Sequence, residues 1–257
     1  MLLALAARAA AQTVAPSTDY VRENWTVADG LPINTINAII QTRDGYLWLG
    51  TNDGVVRFDG VRFTVYNAGN TPQLPSNRIV SLYQDRAGAL WVLTEQQHLI
   101  RYLHGHFTHI DASRGLRSGA LQLSEGPDGT LILATTRGAG VVRDARFTPL
   151  VDSIPINDGY GGSAVQRSDG SVWIAGQRSG LWRVAGGRVE NVTPPELRTA
   201  ALYQVAVDGR GRLWIGSSRG VSIEDHGFRR VRPPNDSIKD AFALRFDDRR
   251  NRAWLLG

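Results

Sequence analysis

The chain has 257 residues, 42% of them hydrophobic, which is enough to bury a large core in a single all-β domain. It contains no cysteine, and this excludes disulfide bonds and cysteine-based zinc sites. The net charge of +5 favours an anionic partner, but the arginines are spread over the whole chain and form no basic runs. We therefore predict no binding to nucleic acid.

The N-terminus begins with a short apolar run, Met1 to Ala11, that ends in three alanines before Gln12. This pattern is typical of the hydrophobic region and the cleavage site of a secretory signal. The run is too short to span a bilayer. We interpret residues 1–11 as the remnant of a signal peptide and predict that the protein is exported.

One motif recurs along the rest of the chain, an alternating apolar strand with a tryptophan at its centre. Its centres are Trp48, Trp91, Ile132, Trp173, Trp214 and Trp254. Their spacings are 43, 41, 41, 41 and 40 residues. A fixed period near forty, with strand patterning inside each unit, indicates a β-propeller with one four-stranded blade per repeat. The sequence thus predicts an all-β fold over residues 19–257.

Each repeat contains four strand signals. The first, an inner strand, leads into a hairpin turn with Asp-Gly at 44–45, 128–129 and 169–170, whereas Gly88 and Gly211 indicate a looser version of this turn. The second strand carries the central tryptophan, whose ring is expected to fill the gap between neighbouring blades. In most repeats a small residue follows two positions later and would permit close packing. These residues are Gly50, Ala134, Ala175 and Gly216.

The repeats do not add up to a closed ring. Five are complete, the sixth begins at Asp248 and reaches only its first half, and Val21–Val27 is predicted to be the outer strand of a closing blade. An open ring would leave unpaired strand edges. We therefore interpret the chain as the N-terminal fragment of a longer protein, whose complete propeller we expect to have seven blades.

The repeat resembles that of the two-component-regulator propeller family. The first copy matches at Gly30-Leu31-Pro32, Asn34, Leu47-Trp48-Leu49-Gly50-Thr51, Arg57 and Phe58, and the second at Leu74-Pro75-Ser76-Asn77 and Leu90-Trp91. The resemblance implies a periplasmic sensor whose missing downstream part holds a transmembrane segment and a histidine kinase or diguanylate cyclase. It also implies an oligosaccharide or other small-molecule ligand and allows a homodimer of the full receptor. It implies no cofactor.

Candidate ligand-binding residues lie in two sets of loops that we expect on one face of the ring. The loops between the second and third strands and those that enter each blade supply Asn34, Asn52, Asp53, Asn77, Gln97, Arg137, Arg178 and Arg219. Guanidinium groups at equivalent positions suit an acidic or polyhydroxylated ligand. The alternative is that these are ordinary polar turns whose side chains cap the loop backbone.

The sequence gives little support for a metal site or for a catalytic site. His98, His104, His106 and His109 are interpreted as an exposed blade edge, not as a metal site. Arg57, Arg101, Arg143 and Arg183 recur at structural positions of the repeat. No nucleophile motif appears, so we predict no catalytic residues. Two alternatives stay open, a propeller enzyme that acts on polysaccharide and a protein-interaction scaffold.

Overall fold

The computed structural model describes residues 23–156, 162–225, 227–231, 241, 243–247 and 252–256. It contains five four-stranded antiparallel sheets and one two-stranded sheet. Every sheet is built from strands that follow one another in the chain. The predicted residues 1–11 of the signal peptide lie outside the described residues, as do residues 19–22 at the start of the predicted propeller.

The first three sheets are blades of nearly equal size. Their strands are β1 (Ile36–Gln41), β2 (Leu47–Thr51), β3 (Gly54–Phe58), β4 (Phe63–Tyr66), β5 (Ile79–Gln84), β6 (Leu90–Thr94), β7 (Leu99–Leu103), β8 (His106–Ile110), β9 (Ala120–Glu125), β10 (Leu131–Thr135), β11 (Gly138–Arg143) and β12 (Arg146–Val151). Short 3-10 helices, Val27–Asp29 and Ala112–Arg114, lie in the segments that enter the first and third blades.

The remaining strands repeat the same pattern. They are β13 (Ser163–Gln166), β14 (Val172–Gly176), β15 (Gly180–Ala185), β16 (Arg188–Asn191), β17 (Leu202–Val207), β18 (Leu213–Ser217), β19 (Gly220–Glu224), β20 (Phe228–Val231), β21 (Ala243–Asp247) and β22 (Arg252–Leu256). A third 3-10 helix, Pro195–Leu197, enters the fifth blade. The predicted inner and central strands are all present, so the propeller fold is confirmed.

Neighbouring blades pack through the central residues of their second strands. Trp48 and Trp91 are 2% and 1% exposed, and Ile132 is fully buried at the same position of the third blade. Trp48 belongs to one buried cluster with Leu90 and Ile100 of the second blade, and its ring lies 4.8 Å from that of Tyr102. Trp91 belongs to a cluster with residues of the third blade. These contacts confirm that the repeated large residue fills the space between blades, where a tryptophan buries 150–250 Å² or so.

The small residue two positions later is required by the next inner strand. A Cβ atom on Gly50 would lie 2.8 Å from Cγ2 of Ile79, and one on Gly216 would lie 2.5 Å from the carbonyl oxygen of Ala241. Both neighbours belong to the following blade. Close packing is therefore confirmed at Gly50 and Gly216, whereas the second blade has the buried Leu93 at the same position.

The turn between the first two strands is the same in all five complete blades. In each, the glycine N–H donates to the carbonyl three residues earlier, as in Gly45 to Thr42 (2.8 Å), Gly88 to Asp85 (3.0 Å) and Gly211 to Asp208 (2.8 Å). These glycines have φ between 77° and 90°, a region that other residues rarely adopt. The prediction of a looser turn at Gly88 and Gly211 was wrong, because the glycine fixes the turn and the aspartate before it is dispensable.

The predicted outer strand Val21–Val27 was also wrong in its described part. Residues 23–26 are not in a strand, and Val27 begins a 3-10 helix that Thr26 caps by accepting a hydrogen bond from the Ala28 N–H. A strand is stable only beside a hydrogen-bonded neighbour, and no described strand pairs with this segment. Instead Trp25 packs on Phe58 at a ring distance of 4.9 Å.

Candidate functional site

Two sets of loops meet on one face of the propeller. The turns between the second and third strands are hydrogen-bonded to the segments that enter the blades, as in Glu95 N–H to Arg78 O (2.8 Å) and Thr136 N–H to Gly119 O (2.9 Å). Ser218 N–H donates to Ala201 O in the same way (2.9 Å). The two sets therefore lie on one face, as predicted, and we call it the loop face.

The asparagines of the loop face hold the loops together. The Oδ1 atom of Asn34 accepts from the Val27 N–H (3.1 Å), and that of Asn77 accepts from the Ala68 N–H (2.8 Å). The two residues occupy equivalent positions at the entry to the first and second blades. Their side chains therefore cap the preceding loop, which favours the polar-turn alternative for this pair.

Asn52 and Asp53 are held from the neighbouring segments. Asn37 donates to Asn52 Oδ1 (2.8 Å), and Asn77 donates to Asp53 Oδ1 (3.1 Å). Both acceptors are half-buried. Gln97 has φ of 66°, and its carbonyl accepts from the Ala120 N–H (2.8 Å) at the start of the third blade. Whether any of the three also contacts a ligand stays a prediction.

The three candidate arginines are exposed on the loop face, and two of them have described hydrogen bonds. Arg137 donates from Nε to the carbonyl of Asp152 (3.0 Å), which follows the outer strand of its own blade. Arg219 donates to Glu196 O (2.8 Å) and to Thr199 Oγ1 (2.7 Å), in the segment that enters its blade. Arg137 and Arg219 are therefore held by different segments, although their positions in the repeat are equivalent.

A cavity opens beside Arg137. It has a volume of about 570 Å³ and lies between the segment that enters the third blade and the outer strand β12. Its lining includes Arg117, Ser118, Arg137, Phe147, Pro149 and Asp152. We call it the Arg117–Arg137 cavity. Its volume lies in the usual range of small-molecule sites.

Sequence reasoning missed Arg117, although a signal was present. The entry segments of the first two blades read Leu31-Pro32 and Leu74-Pro75, whereas the third reads Leu116-Arg117. Arg117 thus stands at the position of a repeat proline. In the first and third blades the leucine N–H donates to the carbonyl five residues earlier, Leu31 to Thr26 and Leu116 to Asp111. The backbone is thus held in the same way with proline or with arginine as the next residue, so the fold does not need the Arg117 side chain.

A second cavity, of about 430 Å³, lies on the opposite face among the turns that follow the inner strands. Its acidic groups are already engaged. Glu125 accepts from the Tyr83 hydroxyl (2.9 Å) and the Arg86 N–H (3.2 Å), while burial and this bond raise the pKa of Tyr83. Asp85 accepts from the Ala89 N–H (2.8 Å). This cavity is thus part of the packing between the second and third blades.

The histidines form no metal centre in the part of the chain that the structure describes. His104 and His106 are exposed, as predicted, but His98 and His109 are half-buried, with their rings edge to face at 5.2 Å. Burial and the neighbouring His109 lower the pKa of His98 below its ordinary value. The exposed-edge interpretation is therefore wrong for this pair, because the two rings cover each other.

The recurring arginines were predicted to be blade-packing or surface residues, and three of the four contact aromatic rings. The guanidinium carbon of Arg57 lies 4.6 Å from the Tyr46 ring centre. Those of Arg101 and Arg183 lie 6.0 Å from the rings of Trp91 and Trp173. Arg143 is exposed on the surface. Cation–π contacts of this kind stabilise an exposed pair by about 0.5–1 kcal/mol.

Comparison with known proteins agrees with the repeat pattern. Residues 30–53 and 73–96 match the family model described as two component regulator propeller. Two segments of this chain thus match the two-component regulator propeller repeat. Over a stretch of 59 residues, the sequence of this chain is 37% identical to that of Histidine kinase P4 of Formosa agariphila. That stretch is 23% of this chain and 4% of the kinase.

Solved structures share the fold. The extracellular domain of a protein assigned as the hybrid two-component system BT3049, from B. thetaiotaomicron, superposes with a TM-score of 0.61 at 20% identity, over 91% of this chain and 40% of that chain. Virginiamycin B lyase from Staphylococcus aureus superposes with a TM-score of 0.57 at 17% identity, over 78% and 71% of the two chains. This propeller thus spans less than half the length of the first of these structures.

Among the described residues, no helix has the length and apolar character that crossing a membrane requires.

Proposed function

We propose that this propeller is the extracytoplasmic, ligand-binding sensor part of a signal-transduction protein, which passes its signal to a histidine kinase or diguanylate cyclase output. The observation that carries the proposal is the match of two repeats to the two-component regulator propeller model. The similarity of a 59-residue stretch to a histidine kinase supports it. The fold alone would not, because propellers host many functions.

The ligand we propose is an oligosaccharide or another polyhydroxylated or acidic small molecule. The arginines exposed on the loop face are suited to such groups, since a guanidinium binds carboxylates and hydroxyls through a fork of donors. We place the ligand on this face and the propeller in the periplasm, which is consistent with the apolar run at residues 1–11.

Export can be tested with alkaline phosphatase fused after Gly257, since this enzyme is active only outside the cytoplasm. We expect activity from the fusion and its loss when residues 1–11 are deleted. An inactive fusion that accumulates in the cytoplasm would contradict the proposed location.

The sensor role can be tested by deleting the segment for residues 23–257 from the native gene and measuring transcripts during growth on different polysaccharides. A sensor predicts that a defined set of genes loses its induction on one polysaccharide. Unchanged transcription on every source, together with release of reducing sugar by the purified chain, would favour the polysaccharide-degrading alternative.

A further inference from the structure

We propose that the Arg117–Arg137 cavity binds an organic anion in which a carboxylate lies next to hydroxyl groups, with both guanidinium groups on the carboxylate. The inference rests on the proposed function, for which it names the site and the ligand chemistry. The two arginines come from different segments, the entry to the third blade and the turn between β10 and β11.

The walls of the cavity are fixed by contacts of the backbone. Gly115 has φ of 92°, and any side chain there would collide with the carbonyl of Phe147 in β12. At the other end, Gly119 donates to Thr136 Oγ1 (3.2 Å) and accepts from the Thr136 N–H (2.9 Å). Arg117 and Ser118 therefore lie on a segment held at both ends. Such preorganisation lowers the entropy cost of binding.

The positive charge of the cavity is available to a ligand. Arg117 is exposed, and its guanidinium makes no hydrogen bond or ion pair with the residues that the structure describes. Arg137 is oriented by its Nε bond to Asp152 O, while its terminal nitrogens have no partner within the described ranges. Two cationic forks that open into one space, one of them already oriented, suit a carboxylate.

The rest of the lining selects for more than charge. The exposed Asp152 carboxylate can accept hydrogen bonds from ligand hydroxyls, and Ser118 can donate or accept. Phe147 and Pro149 add an apolar wall for the carbon skeleton. Two positive charges and one negative charge leave the cavity with a net charge of +1. An inorganic anion would engage only the two arginines, whereas a hydroxylated carboxylate could also donate hydrogen bonds to Asp152.

Binding of glucuronate by the full 257-residue chain, measured by isothermal titration calorimetry, tests the proposal, with glucose as the neutral sugar of the same ring. We expect a Kd for glucuronate below about 1 mM and no measurable binding of glucose. Arg117→Gln and Arg137→Gln should each raise the Kd by about tenfold to a hundredfold, because each removes a charged hydrogen bond.

Arg146→Gln is the matched control, since it makes the same change of charge in the same blade, at the first residue of β12 and outside the cavity lining. It should bind glucuronate as the wild type does. Arg117→Gln keeps the test valid if Arg137→Gln fails to fold, because Arg117 has no structural bond to lose.

Three outcomes would overturn the proposal: no binding of glucuronate to the wild type, equal binding of glucose, or unchanged affinity in both arginine variants. None of these measurements depends on signalling. A failure of the sensor role would instead show in the transcripts of the gene-deletion experiment.

Discussion

At the scale of single residues, three of the tryptophans between blades donate their indole N–H to a polar side chain. Trp91 donates to the buried carboxylate of Asp85 (2.7 Å), and Trp214 donates to Asp208 (2.8 Å). Trp173 instead donates to the Ser171 hydroxyl (3.0 Å). A buried indole N–H without a partner would cost about 1–3 kcal/mol, so the acceptor is part of the blade interface.

The Asp208 carboxylate makes the free energy of unfolding depend on pH in the acid range. Burial on its own would raise the pKa of Asp208, but hydrogen bonds from Trp214 and Arg212 outweigh it and hold the pKa below the ordinary value of 3.8. The native state thus favours the ionised carboxylate, and this stability is present above pH 3.8 and is lost as the pH falls through the lower, folded value. Asp208→Asn should therefore flatten the fall of unfolding free energy below about pH 4.

Urea unfolding between pH 2 and pH 7 measures this effect. At pH 7 the Asp208→Asn variant should lose about 1–3 kcal/mol, since the bonds to the charged acceptor are weakened. Trp214→Phe removes the strongest of the bonds that lower this pKa and should flatten the profile in part. Identical acid slopes in the wild type and Asp208→Asn would contradict the assignment.

At the scale of elements, the blades are linked by hydrogen bonds as well as by apolar packing. The Ser124 hydroxyl donates to Ala164 O (2.7 Å), and the Ser163 hydroxyl accepts from the Val205 N–H (2.6 Å). These bonds join consecutive inner strands at the third, fourth and fifth blades. Because each blade meets only the next, the stability of one interface can be measured separately from the others.

The ion pair between Arg167 and Glu224 is a suitable probe of the interface between the fourth and fifth blades. Its atoms are 2.6 Å apart, and the side chains are only 25% and 17% exposed. The pair Arg78–Glu95, within the second blade, is 2.8 Å long with side chains 58% and 48% exposed. We expect a coupling energy of about 1–3 kcal/mol for the first pair and below about 1 kcal/mol for the second.

Double-mutant cycles with Arg→Ala and Glu→Gln, followed by urea unfolding, give both coupling energies. Adding 1 M salt shortens the Debye length to about 3 Å. It should abolish the coupling energy of the exposed pair Arg78–Glu95 and leave most of the coupling energy of the pair Arg167–Glu224. Equal couplings, or equal loss in salt, would show that burial between the blades does not strengthen the ion pair.

At the scale of the whole molecule, the blades differ in how much of their inner strand is buried. In β1 most residues are exposed, including Ile39 at 64%, whereas in the equivalent inner strand β9 none is. The second strands β6 and β10 are buried at all five positions. Local opening requires less free energy where few apolar contacts are lost.

Hydrogen exchange measured by mass spectrometry should follow this difference. Amides of β1 should exchange at least about tenfold faster than those of β9, which corresponds to about 1.4 kcal/mol of opening free energy. The two strands occupy the same place in their blades and pair with an equivalent second strand, so each is the control of the other. Equal protection would show that the blades open as one cooperative unit.

The sequence by itself determined the blade count of the described region, the strand order within each blade and the burial of residues such as Trp48 and Ile132, because a forty-residue period and strand alternation are local. It placed the loop face correctly for the same reason. What Arg137 and Arg219 bond to was decided only by the tertiary structure, since their partners Asp152 and Glu196 lie 15 and 23 residues away. The Arg117–Arg137 cavity is likewise a product of two distant segments brought together, and no pattern along the chain records that distance.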